Sequence, residues 1–256
     1  MRLAALIFDV DGTLADTEEA HRSAFNEAFA QLGLDWNWSR PTYAHLLLTT
    51  GGKERLAAYI DTLPCPPGER QALKERIDAI HKAKTANYTR KILEGQVALR
   101  DGVERLLDDA ADHGVPVCIA TTTTRANVEA LLETALGSGA MQRFAVIGAG
   151  DEVARKKPAP DIYQYVLREL GSEPQDCIAI EDSANGLRSA KAAGLFTVVT
   201  PSYWTRGEDF SGADWVLPTL GSPERPLPAP AAALVGGPLL GIRELDRRLG
   251  ALGVGG

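Results

Sequence analysis

After Met1-Arg2 the chain continues as Leu3-Ala4-Ala5-Leu6-Ile7-Phe8-Asp9-Val10-Asp11-Gly12-Thr13-Leu14. The apolar run before Asp9 is typical of a buried parallel strand. Because side chains alternate along a strand, Asp9 and Asp11 are expected to project the same way at its carboxyl end, where open α/β sheets bind ligands. Carboxylate oxygens favour Mg²⁺. A lone pair of this kind is equally typical of a turn, so the interpretation depends on other motifs.

Further short apolar runs, each bounded by turn residues, predict the rest of a sheet: Val115–Ala120, Phe144–Ile147, Cys177–Ile180, Thr197–Thr200 and Trp215–Leu217. Helical stripes fill most of the gaps, as in Val128, Leu131, Leu132 and Ala135. Strands that alternate with helices predict the α/β class, with a doubly wound parallel sheet. The expected catalytic core comprises residues 1–17 and 97–218.

Residues 18–96 break this alternation, since they contain helical stripes and no convincing strand. They predict an all-α cap domain inserted after the first strand, with hinges near Ala15–Thr17 and Val97–Arg100. Residues 219–256 are expected to form a tail rich in Pro, Ala and Gly. We interpret its proline-rich part as a linker, followed by a short helix around Ile242, Leu245 and Leu249.

Three further polar motifs have a plain and a functional interpretation. Thr121–Thr124 follows a predicted strand and suits phosphate binding, although helix capping also explains threonines there. Lys157, held before Pro158, would neutralise carboxylates and a phosphoryl group, although paired lysines on a loop are usually solvated. Glu181-Asp182 follows a very apolar strand and suits a metal, with N-capping as the alternative.

The composition indicates a soluble enzyme, with 45% apolar and 24% charged residues. A net charge of −7 without a basic stripe argues against nucleic acid or a membrane surface as partner. The three cysteines lack metal-ligand spacing, and no apolar run reaches membrane-spanning length. We expect a cytoplasmic monomer with reduced thiols.

Taken in order, Asp9-Val10-Asp11-Gly12-Thr13, Thr121, Lys157-Pro158 and Glu181-Asp182 resemble the four motifs of the haloacid-dehalogenase-like hydrolase superfamily. The insertion resembles the helical cap of its phosphoglucomutase-like subgroup. Three strings further resemble the CbbY branch: Thr17–Arg22, Thr49–Arg55 and Arg125–Leu131. That branch is associated with xylulose-1,5-bisphosphate phosphatase activity beside the Calvin cycle.

The resemblance implies a role for each motif residue. Asp9 would be the nucleophile and form an aspartyl-phosphate, and Asp11 would exchange protons with the leaving alcohol and then with water. Thr121 and Lys157 would hold the phosphoryl group. Mg²⁺ would be bound by Asp9, the backbone carbonyl of Asp11 and Asp182. Glu181 would be either a further ligand or a neighbour of the ligands.

Substrate contacts are expected mainly from the insertion. Glu18 and His21 share a helix face and could bind sugar hydroxyls, while Lys53 and Arg55 follow the flexible Gly51-Gly52 and could bind a second phosphate. On the core side, we expect contacts from Thr122, Thr123, Arg125 and Asn127. Lys84 and Arg90 are interpreted as solvated helix residues.

The resemblance therefore implies a Mg²⁺-dependent phosphatase of a sugar (bis)phosphate, most specifically one that converts xylulose 1,5-bisphosphate to xylulose 5-phosphate. A sugar phosphomutase would use the same core motifs, and another small sugar phosphate remains open as substrate. A non-catalytic phosphosugar sensor is disfavoured by the complete set of catalytic groups.

Overall fold

A six-stranded parallel sheet forms the centre of the molecule in the computed structural model, which describes residues 3–252. Its strands are β1 (Ala5–Phe8), β2 (Val117–Ala120), β3 (Phe144–Gly148), β4 (Cys177–Glu181), β5 (Phe196–Val199) and β6 (Trp215–Val216). Their order is β3-β2-β1-β4-β5-β6. All six predicted strands and the fold class are confirmed.

The first strand lies in the middle of the sheet, so both of its neighbours are other parallel strands. Leu6 pairs with Val117 on one side and Ile178 on the other. Alternate residues serve opposite faces: Leu6 belongs to one hydrophobic cluster, whereas Ala5 and Ile7 belong to the other. A strand buried on both faces must be apolar throughout, which explains the opening run of the sequence.

Helices cover the sheet on both faces. Those between the strands are α6 (Val103–Asp112), α7 (Arg125–Leu136), α8 (Asp161–Leu170) and α9 (Ala184–Ala192), with 3₁₀ turns at Ala140–Arg143 and Pro174–Asp176. The predicted stripe of α7 is correct, since Val128, Leu131 and Leu132 are buried. The parallel strands thus end at the same edge of the sheet, where the loops that follow them meet.

Residues 18–96, which we call the helical insertion, contain five helices. They are α1 (Glu18–Gln31), α2 (Arg40–Leu46), α3 (Gly52–Asp61), α4 (Pro67–Glu75) and α5 (Ile77–Leu93). The insertion has its own aromatic cluster, in which Phe25 and Phe29 pack on Trp38 at centroid distances of 4.7 and 4.9 Å. Its described residues include no strand. Treating the insertion as a separate cap domain stays a proposal.

The two crossovers between the insertion and the sheet run side by side. Ala15 and Leu99 form an antiparallel bridge, and the amide of Arg100 donates to the carbonyl of Leu14 at 2.9 Å. The predicted hinges are therefore joined to each other by backbone hydrogen bonds.

The linker interpretation of the proline-rich tail is wrong. Helices α10 (Ala229–Val235) and α11 (Ile242–Leu252) follow the sheet, and Leu227, Ala231 and Val235 are buried in the same cluster as Leu6. Ala231 and Val235 are four residues apart and share one face of α10, and Leu227 lies just before that helix. The prolines begin α10 rather than prevent it, because proline is tolerated in a first turn. The short helix predicted around Ile242, Leu245 and Leu249 is correct. Within residues 3–252, every helix falls short of the length or hydropathy that crossing a membrane requires.

Candidate active site

Three carboxylates meet where β1 and β4 end. Asp9 follows β1, Glu181 is the last residue of β4, and Asp182 follows it. One oxygen from each lies within 4.8 Å of the others, and all three side chains are buried, with Glu181 fully so. The parallel topology causes this meeting, because adjacent strands finish at one edge of the sheet.

Lys157 is the cation of this cluster. Its Nζ lies 2.6 Å from Asp9 Oδ1 and 2.6 Å from Glu181 Oε1. Burial opposes the charge, but the neighbouring carboxylates of Asp9 and Glu181 raise the pKa of Lys157 above its usual range. The lysine is therefore a fixed ammonium beside Asp9 rather than a solvated surface residue.

Glu181 uses both of its oxygens within the protein. Besides Lys157, Oε1 accepts a hydrogen bond from the Tyr163 hydroxyl at 2.6 Å, and Oε2 accepts from the amide of Asp182 at 3.3 Å. Glycine is required at position 186, because a Cβ there would lie 1.9 Å from Oε2. Glu181 is thus held against Lys157 and orients it toward Asp9.

The charge of this cluster fits a divalent cation. Three carboxylates face one ammonium, which leaves two negative charges in a buried volume. Burial first, and then the charge of Glu181, raise the pKa of Asp9 to about 7; burial and the charge of Asp9 raise that of Asp182 well above its usual value. A cation would relieve this repulsion, and hard oxygen donors suit Mg²⁺.

Asp11 does not place its carboxylate in this cluster. Its Oδ1 accepts from the Thr17 hydroxyl at 2.6 Å and contacts His21 Nε2 at 3.0 Å. Burial alone would raise the pKa of Asp11, but the contact with His21 and the hydrogen bond from Thr17 lower it to about 2. The carboxylates that gather are those of Asp9, Glu181 and Asp182, which leaves Asp11 to contribute to a metal through its backbone carbonyl, as the resemblance implies.

Lys84 is the residue that sequence reasoning placed wrongly. It is 5% exposed, and its Nζ lies 2.7 Å from His21 Nδ1. An ammonium can only donate, so Nδ1 accepts and the ring proton lies on Nε2, which donates to Asp11. The predicted solvation holds for Arg90, which pairs with Glu27 and Glu94 at the surface. It is wrong for Lys84.

His21 therefore belongs to a relay from Lys84 to Asp11 rather than presenting free nitrogens to a sugar. Its ring stacks on Tyr88 with a centroid distance of 3.9 Å. Burial and the charge of Lys84 lower the pKa of His21, which keeps the imidazole neutral. The amphipathic signal for this arrangement was present in the sequence, because Lys84 and Tyr88 continue the helix face that begins with Ile77 and Ile80.

A cavity of about 320 Å³ lies between the cluster and the helical insertion. Most of the expected site residues line it: Asp9, Asp11, Glu18, His21, Gly52, Lys53, Arg55, Thr122, Thr123, Asn127, Lys157 and Asp182. Several further residues line the cavity but were not among the expected site residues, notably Thr50, His81, Lys84, Lys156, Asn185 and Thr205. These come from separate loops and helices whose proximity only the tertiary structure reveals.

The threonine loop divides into a supporting and an exposed part. Thr121 is 1% exposed, and its hydroxyl accepts from the amide of Thr123 at 3.2 Å. Asn127 donates to the hydroxyl of Thr123 at 3.2 Å. Its own Oδ1 is buried without a hydrogen-bond partner among the described residues. Asn127 thus presents an unused acceptor next to the cavity.

The structure does not bring Arg125 to the cavity. Its side chain is 53% exposed and pairs loosely with Glu152, at 3.6 Å. Arg125 is the first residue of α7, from which it extends toward solvent, so the contact expected of it is not formed.

The insertion contributes its charged residues already in pairs. Glu18 accepts from the Tyr43 hydroxyl at 2.6 Å, and that hydroxyl accepts from Arg55 at 2.9 Å. Lys53 lies on the cavity wall but pairs with Asp78 at 2.7 Å. A Cβ at Gly52 would lie 2.7 Å from His81 Nε2, so the glycine permits this close approach.

The insertion and the core touch across the cavity mouth. Lys156 pairs with Glu54 at 3.2 Å, and Asn185 donates to the hydroxyl of Thr50 at 2.9 Å. Trp204 packs edge-on against Tyr43 at 5.4 Å. These contacts narrow the entrance and separate the carboxylate cluster from bulk water.

The family model of the haloacid dehalogenase-like hydrolases matches residues 3–194. The chain belongs to this family. The expected superfamily is confirmed, and so is the enzyme class, a phosphatase of the haloacid dehalogenase type.

Relatives within this hydrolase family carry the name CbbY. Protein CbbY of Rhodobacter capsulatus is 56% identical over 220 residues, which cover 86% of this chain and 95% of that protein. The crystal structure of CbbY from Rhodobacter sphaeroides in complex with phosphate has a TM-score of 0.81 at 45% identity and covers 95% of this chain and 99% of that one. A mutant of the same protein, crystallised with xylulose-(1,5)bisphosphate, matches with a TM-score of 0.80, the same identity and the same coverage.

Proposed function

We propose that this hydrolase is a Mg²⁺-dependent phosphatase that cleaves a sugar bisphosphate, with xylulose 1,5-bisphosphate as the expected substrate and xylulose 5-phosphate as the product. The observation that carries the chemistry is the contact of Lys157 with both Asp9 and Glu181 at the wall of the cavity. It supports assigning Asp9 as the nucleophile beside a fixed cation, next to a set of carboxylate oxygens suited to a divalent metal.

In the first step a carboxylate oxygen of Asp9 attacks phosphorus, and the bond between phosphorus and the sugar oxygen breaks. The pKa of Asp11 is low in the free protein, but the anionic phosphate of a bound substrate favours its protonated form, and this form gives a proton to the leaving oxygen. In the second step water attacks the aspartyl-phosphate, Asp11 takes the proton of that water, and inorganic phosphate leaves Asp9. Bound Mg²⁺ would supply neutralisation of the phosphoryl oxygens. Lys157 supplies the same kind of stabilisation from the protein side.

We assign Asp9, Asp182 and the Asp11 carbonyl as the metal-binding groups. Glu181 then acts by holding Lys157, since its two oxygens already accept from Lys157, Tyr163 and a backbone amide. The Thr121 hydroxyl accepts from the Thr123 amide and keeps its own proton to donate, so Thr121 stays assigned to the phosphoryl group together with Thr122 and Thr123.

Preference for a second phosphate is supported by positive charge on the insertion side of the cavity. The pKa of His81 falls to about 4, first through burial and then through the nearby charges of Lys84, Lys53 and Lys156. These groups therefore lie close together, beside the amino end of α3, where backbone N–H groups favour an anion. The bisphosphate bound by the CbbY relative supports the same substrate class.

The test is phosphate release from a panel of mono- and bisphosphorylated pentoses and hexoses, with Mg²⁺ and with a chelator. We expect release to require the metal, to be highest with xylulose 1,5-bisphosphate, and to vanish in Asp9→Asn. Isomerisation of a hexose phosphate without net phosphate release would identify a phosphomutase instead. Tight binding without turnover would identify a sensor. That the enzyme is a cytoplasmic monomer stays a prediction.

A further inference from the structure

Arg100 lies at the second crossover, where the helical insertion returns to the sheet. Its side chain is 12% exposed, and its backbone amide donates to the carbonyl of Leu14, in the first crossover. Arg100 is the last residue of the predicted hinge Val97–Arg100, and none of the catalytic steps described above uses it.

The guanidinium group of Arg100 binds backbone oxygens from two separate loops. It donates to the carbonyl of Gly12, to the carbonyl of Thr200 at 2.7 Å and to that of Pro201 at 3.0 Å. Its contact with Asp16 is long, at 3.5 Å, and the Asp16 side chain is 71% exposed. A planar group with five fixed donors suits this use, so Arg100 serves the backbone and not a salt bridge.

Both loops held by Arg100 contact the carboxylate of Asp182. On one side, Gly12 adopts φ +81°, and a Cβ there would lie 2.2 Å from Asp182 Oδ2. On the other side, the loop after Pro201 supplies Thr205, whose hydroxyl donates to the same oxygen at 3.2 Å. Gly12 is joined directly to the Asp11 carbonyl by a peptide bond. The backbone conformation of Gly12 therefore affects the direction in which that carbonyl points.

We propose that Arg100 is a positioning residue for the metal site. Arg100 fixes the Gly12 backbone and the loop from Thr200 to Thr205 around Asp182, and it connects both to the crossover of the insertion. The inference rests on the proposed use of a divalent metal. Arg100 acts through the backbone of the groups assigned to that metal and does not touch the substrate.

Arg105 offers a matched control. Its guanidinium likewise donates to three backbone carbonyls: Gly221 at 3.0 Å, Leu220 at 3.2 Å and Leu240 at 2.6 Å. These carbonyls belong to the C-terminal segment that packs on α6, and none of them is in the cavity wall among the described residues. Substitution of Arg105 therefore removes a similar set of hydrogen bonds without disturbing the metal groups.

The experiment measures Mn²⁺ binding by electron paramagnetic resonance, together with thermal unfolding and phosphate release, for Arg100→Met, Arg100→Lys and Arg105→Met. Groups that hold metal ligands in place typically affect metal affinity by about 10- to 100-fold. We expect a loss of this size in Arg100→Met and a smaller loss in Arg100→Lys, which retains one cationic donor. Arg105→Met is expected to lower the unfolding temperature comparably but to bind Mn²⁺ within about 2-fold of the wild type.

Three results would overturn the inference. The first is unchanged Mn²⁺ affinity in both Arg100 variants, and the second is an equal loss of Mn²⁺ affinity in Arg105→Met. The third is a loss of turnover in Arg100→Lys that persists at saturating metal although Mn²⁺ binding is normal. Should Arg100→Met fail to fold, the Lys variant decides alone. A wild-type protein that binds no Mn²⁺ would instead contradict the proposed function, so the two failures are distinguishable.

Discussion

Replacing Lys84 with methionine should slow catalysis and stabilise the protein. Lys84 is buried against the rings of Phe25 and Tyr88, with its Nζ 5.2 and 4.9 Å from their centroids. Methionine preserves much of this apolar contact but removes the charge and the donor to His21 Nδ1. The imidazole of His21 is then free to carry its proton on Nδ1. In that tautomer Nε2 would present a lone pair to Asp11 and would no longer donate the hydrogen bond that orients the Asp11 carboxyl.

The size of both effects follows from the structure. Burial, the largest cause, lowers the pKa of Lys84 from 10.5 to about 8, which corresponds to about 3 kcal/mol of destabilisation by the charged form. Loss of the hydrogen bond to His21 offsets about 1 kcal/mol of the gain. A net stabilisation of about 2 kcal/mol at pH 7 should raise Tm by roughly 4–8 °C. General acid catalysis contributes about 10²- to 10⁴-fold, and we expect kcat to fall about 10- to 100-fold because Lys84 acts through His21.

The pH dependence supplies an internal check. Between pH 8 and 10.5 the unfolded chain binds a proton at Lys84 that the folded protein has released, so wild-type stability rises over this range. The stability advantage of Lys84→Met should therefore shrink as the pH rises. The matched control is Lys82→Met, which alters an exposed lysine of the same helix and should leave both quantities unchanged. A variant with wild-type kcat and a lower Tm at pH 7 would refute the reasoning.

Three further substitutions test other parts of the site. Lys157→Met should abolish phosphate release and lower the free energy of unfolding by about 3–5 kcal/mol, because it leaves buried carboxylates without their cation. Denaturant titration with and without Mg²⁺ measures this loss of stability, and an unchanged free energy of unfolding would contradict the prediction. Gly52→Ala should displace His81 and raise KM for a bisphosphate about 10-fold, while kcat on a small aryl phosphate stays normal. Equal effects on both substrates would instead indicate that the loop around Gly52 takes part in the catalytic step. Arg125→Ala should change kcat/KM less than about 2-fold, since the side chain extends into solvent, and a large loss would restore Arg125 to the substrate site.

The acidic half of the site was predictable because topology alone brings it together. Polar residues directly after parallel strands must meet at one edge of the sheet, so the positions of Asp9 and Asp182 follow from the strand pattern. Lys157 lies in a loop after β3, and no periodicity indicates where its side chain points. It was selected through the family motif, and the structure supplies the physical reason in its two bonds of 2.6 Å.

The insertion half was less predictable because its contacts join residues that are distant in sequence. Lys84 and His21 are 63 positions apart, and the charge of Lys84 suggested solvent rather than burial. The position of Lys84 within its helix is a better indicator of its burial than its charge. Its helix has one buried face, which includes Ile80, Lys84, Asn87 and Tyr88. Proline content misled in the same way at the tail, where Ala231 and Val235 form the buried face of α10 and Leu227 packs just before it.

The two halves of the cavity have opposite charge, and this links the metal to the substrate. On the sheet side, Asp9, Glu181 and Asp182 exceed the single charge of Lys157, so that side is complete only with added cations. On the insertion side, buried Lys84 contacts the neutral His21 and has no carboxylate within salt-bridge distance among the described residues, whereas the nearby Lys53 and Lys156 already pair with Asp78 and Glu54. The charge of Lys84 makes that side favour an anion. A metal ion and a phosphorylated sugar neutralise these excesses together, and each therefore favours binding of the other. Burial of both charge excesses destabilises the empty protein, and it is the same burial that strengthens their interaction with the transferring phosphoryl group.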